Sequence, residues 1–165
     1  MGVDPAKLTK VSVSLPFGIG SAEWQADPAE RRAGWALYVE LVTRVALQPL
    51  DLEHGLAREA LASLRDLFGV FRQILREAGP SVGGPSLKSV GGTAIAVLNR
   101  GIRPFLSKWH PLLQHWEQSR PPGRSPREHE RAWEQDATLR GELDALRRDL
   151  EKYAKALATI AGVPS

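Results

Sequence analysis

The stretch from Ile95 to Trp116 constrains this chain more than any other. Its large apolar residues, Ile95, Leu98, Ile102, Phe105, Trp109, Leu112 and Trp116, alternate in steps of three and four, the spacing that lines up one face of an α-helix. Pro104 and Pro111 lie beside that stripe. Each removes a backbone donor and crowds the preceding turn, so the helix is expected to bend at two matching places. Arg100, Arg103, Ser107, His110 and Gln114 follow the opposite side. A helix with one greasy face needs further apolar faces to cover it.

Three other segments offer them. Asp27-Pro28-Ala29-Glu30 is a helix start: a capping aspartate, proline at the first helical position, and a glutamate placed to return the capping bond. This helix is expected to run to about Gln48, ahead of Pro49, with Trp35, Tyr38, Val42 and Val45 on its buried face and Leu37, Leu41 and Ala46 broadening it. After a connector containing Pro49, Asp51 and Gly55, a second helix carries the stripe Ala57, Ala60, Leu64, Leu67, Phe71, Ile74 and Ala78. Arg58, Arg65, Asp66, Arg72, Arg76 and Glu77 occupy its other side, and Gly79-Pro80 stops it.

Ser125-Pro126-Arg127-Glu128 repeats the start signal, and a last helix reaches about Ala161 on Leu139, Leu143, Leu146, Leu150, Tyr153, Leu157 and Ile160. Followed backward, that stripe meets Asp136, Ala132 and His129, which leaves the first turns without an apolar face. At 1.5 Å per residue this helix would span about 54 Å against about 33 Å for the first, so its beginning is expected to overhang the others.

The connector from Gly79 to Gly92 is rich in glycine and proline. It has neither a preceding strand nor a Gly-Lys-Ser/Thr ending, so it is read as a loop and not as a phosphate cradle. Near the N-terminus, Val11, Val13 and Leu15 alternate with Ser12 and Ser14 before Pro16, Gly18 and Gly20, as in a short strand. The expected architecture is all-α: an antiparallel four-helix bundle over residues 27–163, preceded by an extended N-terminal segment, 1–26. The sustained heptad-like spacing points to coiled-coil-like packing of the helices.

At 165 residues the chain is long enough for one domain with a proper core. It contains no cysteine, which excludes disulfides, thiolate metal sites and a cysteine nucleophile. No apolar run is long enough to span a membrane, and Asp4, Lys7 and Lys10 make a poor secretory signal; a cytoplasmic address is expected. Most of the 22 basic residues are arginine, the bias of a GC-rich bacterial genome. The net charge of +3 is concentrated between residues 81 and 122, where Lys88, Arg100, Arg103, Lys108 and Arg120 face Glu117 alone. Arg100, Arg103 and Lys108 form a modest basic strip, too few phosphate contacts for charge alone to hold nucleic acid at cellular salt.

None of the four histidines belongs to a Glu-x-x-His pair, so neither a di-iron site nor any other metal or cofactor is expected. No Gly-x-Ser-x-Gly elbow is present. Among the five tryptophans, Trp24 precedes a helix cap and Trp133 adjoins the polar beginning of the last helix. Both are hard to bury in a short bundle, and aromatic residues near charge are typical partner anchors. Trp24, Trp133, His129 and Asp136 are therefore the expected partner-binding residues.

Arg103 and His110, with six residues between them, are similar to the arginine, four-to-six residues, histidine pattern of HEPN-type ribonucleases, which are compact helical domains that often dimerise. Arg124 and His129 fit the same spacing. The resemblance implies that Arg103 and His110 would hold and protonate groups around a scissile phosphate, with Asn99 or Lys108 nearby. The leading expectation is a non-catalytic helical bundle that binds another protein or its own copy. A ribonuclease using Arg103 and His110 is the alternative; nucleic-acid binding without catalysis is a lesser one, and membrane binding is not expected.

Overall fold

The computed structural model describes residues 9–82 and 87–164. It begins with a β-hairpin. Strands β1 (Thr9–Leu15) and β2 (Gly20–Ala26) pair antiparallel, from Thr9 opposite Ala26 to Leu15 opposite Gly20. The turn between them closes through Ile19 N–H donating to the Pro16 carbonyl at 3.2 Å. Both central residues, Phe17 (φ 60°) and Gly18 (φ 73°), are left-handed, the geometry that matches the natural twist of a hairpin. A left-handed phenylalanine is strained by about 1–2 kcal/mol, and its ring compensates by lying directly on Gly101: a Cβ there would fall 2.5 Å from the Phe17 ring.

Among the described residues six α-helices follow: α1 (Pro28–Val42), α2 (Ala57–Ala78), α3 (Val90–Ala96), α4 (Arg103–Gln118), α5 (Pro126–Arg131) and α6 (Asp136–Ala161). A 3₁₀ turn, Val45–Leu47, closes the segment after α1, and a π-helical turn, Val97–Ile102, joins α3 to α4.

The expected all-α four-helix bundle is not what forms; the chain is mostly helical (67%) with a two-stranded antiparallel sheet. The alternation of Val11, Val13 and Leu15 is the reason. It gives the hairpin an apolar face, so that Val13, Leu15 and Trp24 enter the same core as α1, α2 and α6. Each fully buried aliphatic side chain contributes about 1.5–3 kcal/mol, enough to hold the hairpin on the helices.

The helix of Ile95 to Trp116 differs from its sequence reading in phase. The π turn, in which Arg103 N–H donates to the Leu98 carbonyl, inserts an extra residue. Before and within it, Ala94, Val97, Leu98 and Ile102 are buried; after it, Trp109 and Leu113 are, while Ile95 and Leu112 are exposed. Pro104 follows directly on this turn, where the ladder is already opened. Gly91 and Gly92, expected in a loop, form the buried first turn of α3, with Ser89 as cap; Gly83 and Gly84 lie outside the described residues. The expected long last helix is broken as well. Residues 132–135 separate α5 from α6, and α5 folds against α4 instead of overhanging it. The polar residues that spoil the stripe, His129 and Asp136, find partners within the fold.

Helix α1 also buries a different face from the one expected. Its core side is Glu30, Ala33, Gly34, Leu37 and Leu41, while Trp35, stacked on Tyr38 with ring centroids 5.8 Å apart, is 52% exposed. Close approach outweighs aromatic size: at Gly34 a Cβ would lie 2.6 Å from Ile160 Cγ2 of α6, a separation only glycine permits. Glu30 does not complete a capping box. Asp27 caps it through Glu30 N–H at 2.8 Å, but the Glu30 carboxylate accepts from Val90 N–H, also at 2.8 Å, and so caps α3.

Two predictions follow from these contacts. Gly141 in α6 has open space around it, so Gly141→Ala raises unfolding stability by about 0.5–1 kcal/mol through helix propensity, whereas Gly34→Ala lowers it by about 1–2 kcal/mol because overcrowding exceeds that gain; denaturant melts of the two variants decide this. Burial pushes the Glu30 carboxyl from 4.5 up to about 7, with the Val90 hydrogen bond opposing the shift. The group therefore holds its proton more tightly when folded, and its contribution, full below pH 4.5, is lost as pH rises to about 7. Glu30→Gln keeps an uncharged acceptor for Val90 N–H at every pH, so wild type is expected to fall below it by about 3 kcal/mol as pH rises from 4.5 to about 7 and to stay level above that.

Candidate functional site

Helices α2 and α4 run antiparallel, with Arg58 near Glu117 at one end and Phe68 near Arg103 at the other. Between them lies an open groove of about 940 Å³. From α2 it is lined by Arg58, Leu61, Ala62, Arg65, Asp66, Phe68, Gly69 and Arg72, and from α4 by Arg103, Leu106, Ser107, His110 and Pro111. Asp66 is its one acidic lining residue among those described. The floor is apolar because Leu61, Leu106 and Phe68 lie beside the core stripes; the rims are basic because Arg58, Arg65 and Arg72 recur one heptad apart on α2, opposite Arg103 of α4.

The closed end is a hydrogen-bonded cluster. Arg58 Nε and Nη2 donate to both oxygens of Glu117, at 2.9 Å to Oε2 and 2.6 Å to Oε1. This is the paired geometry that makes arginine–carboxylate contacts strong. Arg58 Nη1 lies 3.0 Å from His110 Nδ1. A guanidinium can only donate, so Nδ1 accepts and the imidazole keeps its hydrogen on Nε2. At the open end, the Arg103 guanidinium lies 4.9 Å and that of Arg72 6.0 Å from the Phe68 ring centre, while Arg103 Nε donates to Asn99 Oδ1 at 3.1 Å. Arg65 and Arg72 are exposed, and neither meets a carboxylate among the described residues.

Glu130 of α5 sets the position of the α2 wall. Its carboxylate is buried and accepts from Ala57 N–H at 2.6 Å and, more weakly, from Arg58 N–H at 3.4 Å. Arg140 Nη2 donates to it at 3.1 Å and to the Gly55 carbonyl at 2.9 Å, and Arg140 Nε donates to Asp136. Burial raises the Glu130 carboxyl above its ordinary value, opposed by the two backbone donors and by Arg140.

The other expected site residues lie elsewhere. Trp24 of β2 is buried on the core side of the hairpin and donates through Nε1 to the Leu87 carbonyl (3.1 Å) and Thr93 Oγ1 (3.2 Å). Trp133, His129 and Asp136 are buried too, packed by the return of α5 onto α4. The His129 ring stacks on Trp116 with centroids 4.4 Å apart and donates from Nε2 to the Trp116 carbonyl at 2.8 Å, while Trp116 Nε1 donates to the His129 carbonyl at 2.7 Å. These four make internal contacts of the folded chain. The Arg124–His129 pair meets at 3.5 Å beside Ser119.

The basic strip is divided. Arg103 lines the groove; Lys108 is paired with Glu142 of α6 at 2.7 Å and covers the Trp109 ring; Arg100 is exposed outside the groove lining. Arg103 and His110 do share one wall, as helical spacing requires. Sequence reading missed Arg58, Arg65 and Arg72 as members of this site. Their seven-residue interval, matched by that of Arg103 and His110, was the available signal.

Chemically, the groove can neutralise negative groups while burying apolar surface. Among the described residues, no group of three or more His, Asp or Glu side chains is placed to hold a metal ion, and no helix is long and apolar enough to cross a membrane. No known protein family, curated protein or solved structure matches the chain.

Proposed function

We propose that this protein works by binding another protein, or a second copy of itself, in the groove between α2 and α4, without catalysis of its own. The observation that carries this reading is the combination in one groove of an apolar floor, Leu61, Phe68 and Leu106, with exposed arginines, Arg65 and Arg72, that lack carboxylate partners among the described residues. Protein interfaces favour such settings, because arginine and aromatic residues anchor while the apolar centre excludes water. The groove volume also suits inserted side chains better than a flat contact.

One observation favours a second reading. Arg103 and His110, the pair that resembles the HEPN pattern, line the same groove. Yet His110 Nδ1 is engaged by Arg58, so a proton could be exchanged there only through Nε2. A ribonuclease of this kind would lose RNA cleavage in His110→Ala; the binding reading expects no cleavage by either protein.

The interface is tested by placing a photo-crosslinking amino acid at Ala62 in the groove and, as a control, at Ser12 on the exposed side of the hairpin. In the host cell, Ala62 is expected to give discrete protease-sensitive adducts and Ser12 none. Adducts removed by nuclease, or none at Ala62, would contradict the proposal.

A further inference from the structure

The arginines of α2 form a series that the chain itself fills only in part. Arg58, Arg65 and Arg72 succeed one another at steps of about 10.5 Å along the helix axis. The first is met by Glu117, with both carboxylate oxygens engaged. The next two are exposed and meet no carboxylate among the described residues. Beside them the α2 surface is low: Ala62 is exposed, and a Cβ added to Gly69 would touch nothing within 4 Å.

We propose that the groove receives an amphipathic α-helix of a partner protein. Acidic residues spaced seven apart on that helix meet Arg65 and Arg72 as Glu117 meets Arg58, and its apolar seam lies over Ala62 and Leu106. This rests on the reading of the groove as a protein interface and specifies what enters it.

The repeat distance selects a helix. Carboxylates seven residues apart on a helix recur every 10.5 Å or so on one face. An extended chain covers a similar distance in about three residues, but an odd step turns the two side chains to opposite sides. The bidentate contact also favours a planar carboxylate, and the small residues Ala62 and Gly69 allow a second helix to approach closely. Single-stranded nucleic acid is a poorer match, since it is held by stacking bases on open aromatic rings, and Arg103 and Arg72 already lie against the Phe68 ring at 4.9 and 6.0 Å.

The test uses synthetic peptides of about three heptads, each with a leucine seam: one with glutamates seven residues apart along its edge, one with the same residues in irregular order, and one with lysine replacing glutamate. Binding is read by fluorescence anisotropy at physiological salt, and the site by amide chemical-shift changes in α2 and α4. The regular glutamate peptide is expected to bind in the groove and to weaken at least about tenfold on the exposed double variant Arg65→Glu/Arg72→Glu, whose thermal unfolding stays close to wild type. The lysine peptide is expected to bind that variant in preference to wild type.

Equal binding of the irregular peptide, or indifference to the double variant, overturns the proposal. So does an absence of peptide binding while protein adducts still form at Ala62, an outcome that leaves the wider interface reading in place. A short single-stranded RNA that displaces the peptide and is itself lost on the double variant would overturn both.

Discussion

A helix that begins in the interior must find acceptors for its first amide groups, and α2 begins after Leu56, whose side chain has none to offer. The acceptor comes from α5, 73 residues further along the chain: the carboxylate of Glu130 receives Ala57 N–H at 2.6 Å. A charged acceptor at a helix N-terminus gains from both the hydrogen bonds and the helix dipole. Arg140 supplies the counter-charge and joins Glu130, Asp136 and the Gly55 carbonyl. Breaking such a buried pair from one side typically costs about 3–5 kcal/mol, so the relative placement of α2, α5 and α6 depends on a few polar contacts as much as on the apolar seams.

The same device occurs at the other end of the core. Glu30 of α1 caps Val90, the first residue of α3, and thereby fixes the start of the helix that continues through the π turn into α4. The two walls of the groove are thus set by two buried glutamates borrowed from elsewhere in the chain. Around them the second core cluster, Trp109, Leu113, Trp133 and Leu139, packs the α5–α6 connector and the start of α6 against α4. The edge-on contact of Trp109 and Trp133, with centroids 6.1 Å apart, is of the kind worth about 0.5–1.5 kcal/mol beyond area alone. On this frame Arg65 and Arg72 stand exposed, with no carboxylate partner among the described residues.

Local signals were readable in the sequence. The start signals at Asp27 and Ser125, the stripe of α2 and its stop at Gly79, and the apolar run from Leu139 to Ile160 all correspond to elements of the structure. What escaped was decided at a distance. The phase of α1 follows from the closeness of α6 at Gly34, not from the size of Trp35. The shift in phase along α4 follows from a π turn that no periodicity announces. Trp24, Trp133, His129 and Asp136 looked stranded because their partners lie on elements whose position the local pattern does not give. The site was half visible: Arg103 and His110 stood out by type and spacing, whereas Arg58, Arg65 and Arg72 passed as a solvated face until α4 was laid beside them.

The claim on which this account rests is that Glu130 holds the first turn of α2, and residue-resolved amide hydrogen exchange tests it most directly. First-turn amides ordinarily exchange with little protection. Here Ala57 is expected to exchange as slowly as amides in the middle of α2, and in Glu130→Ala the protection from Ala57 to Leu61 is expected to fall while that of the β1–β2 hairpin is unchanged. Rapid exchange of Ala57 in the wild-type protein, or protection that survives the substitution, would contradict it.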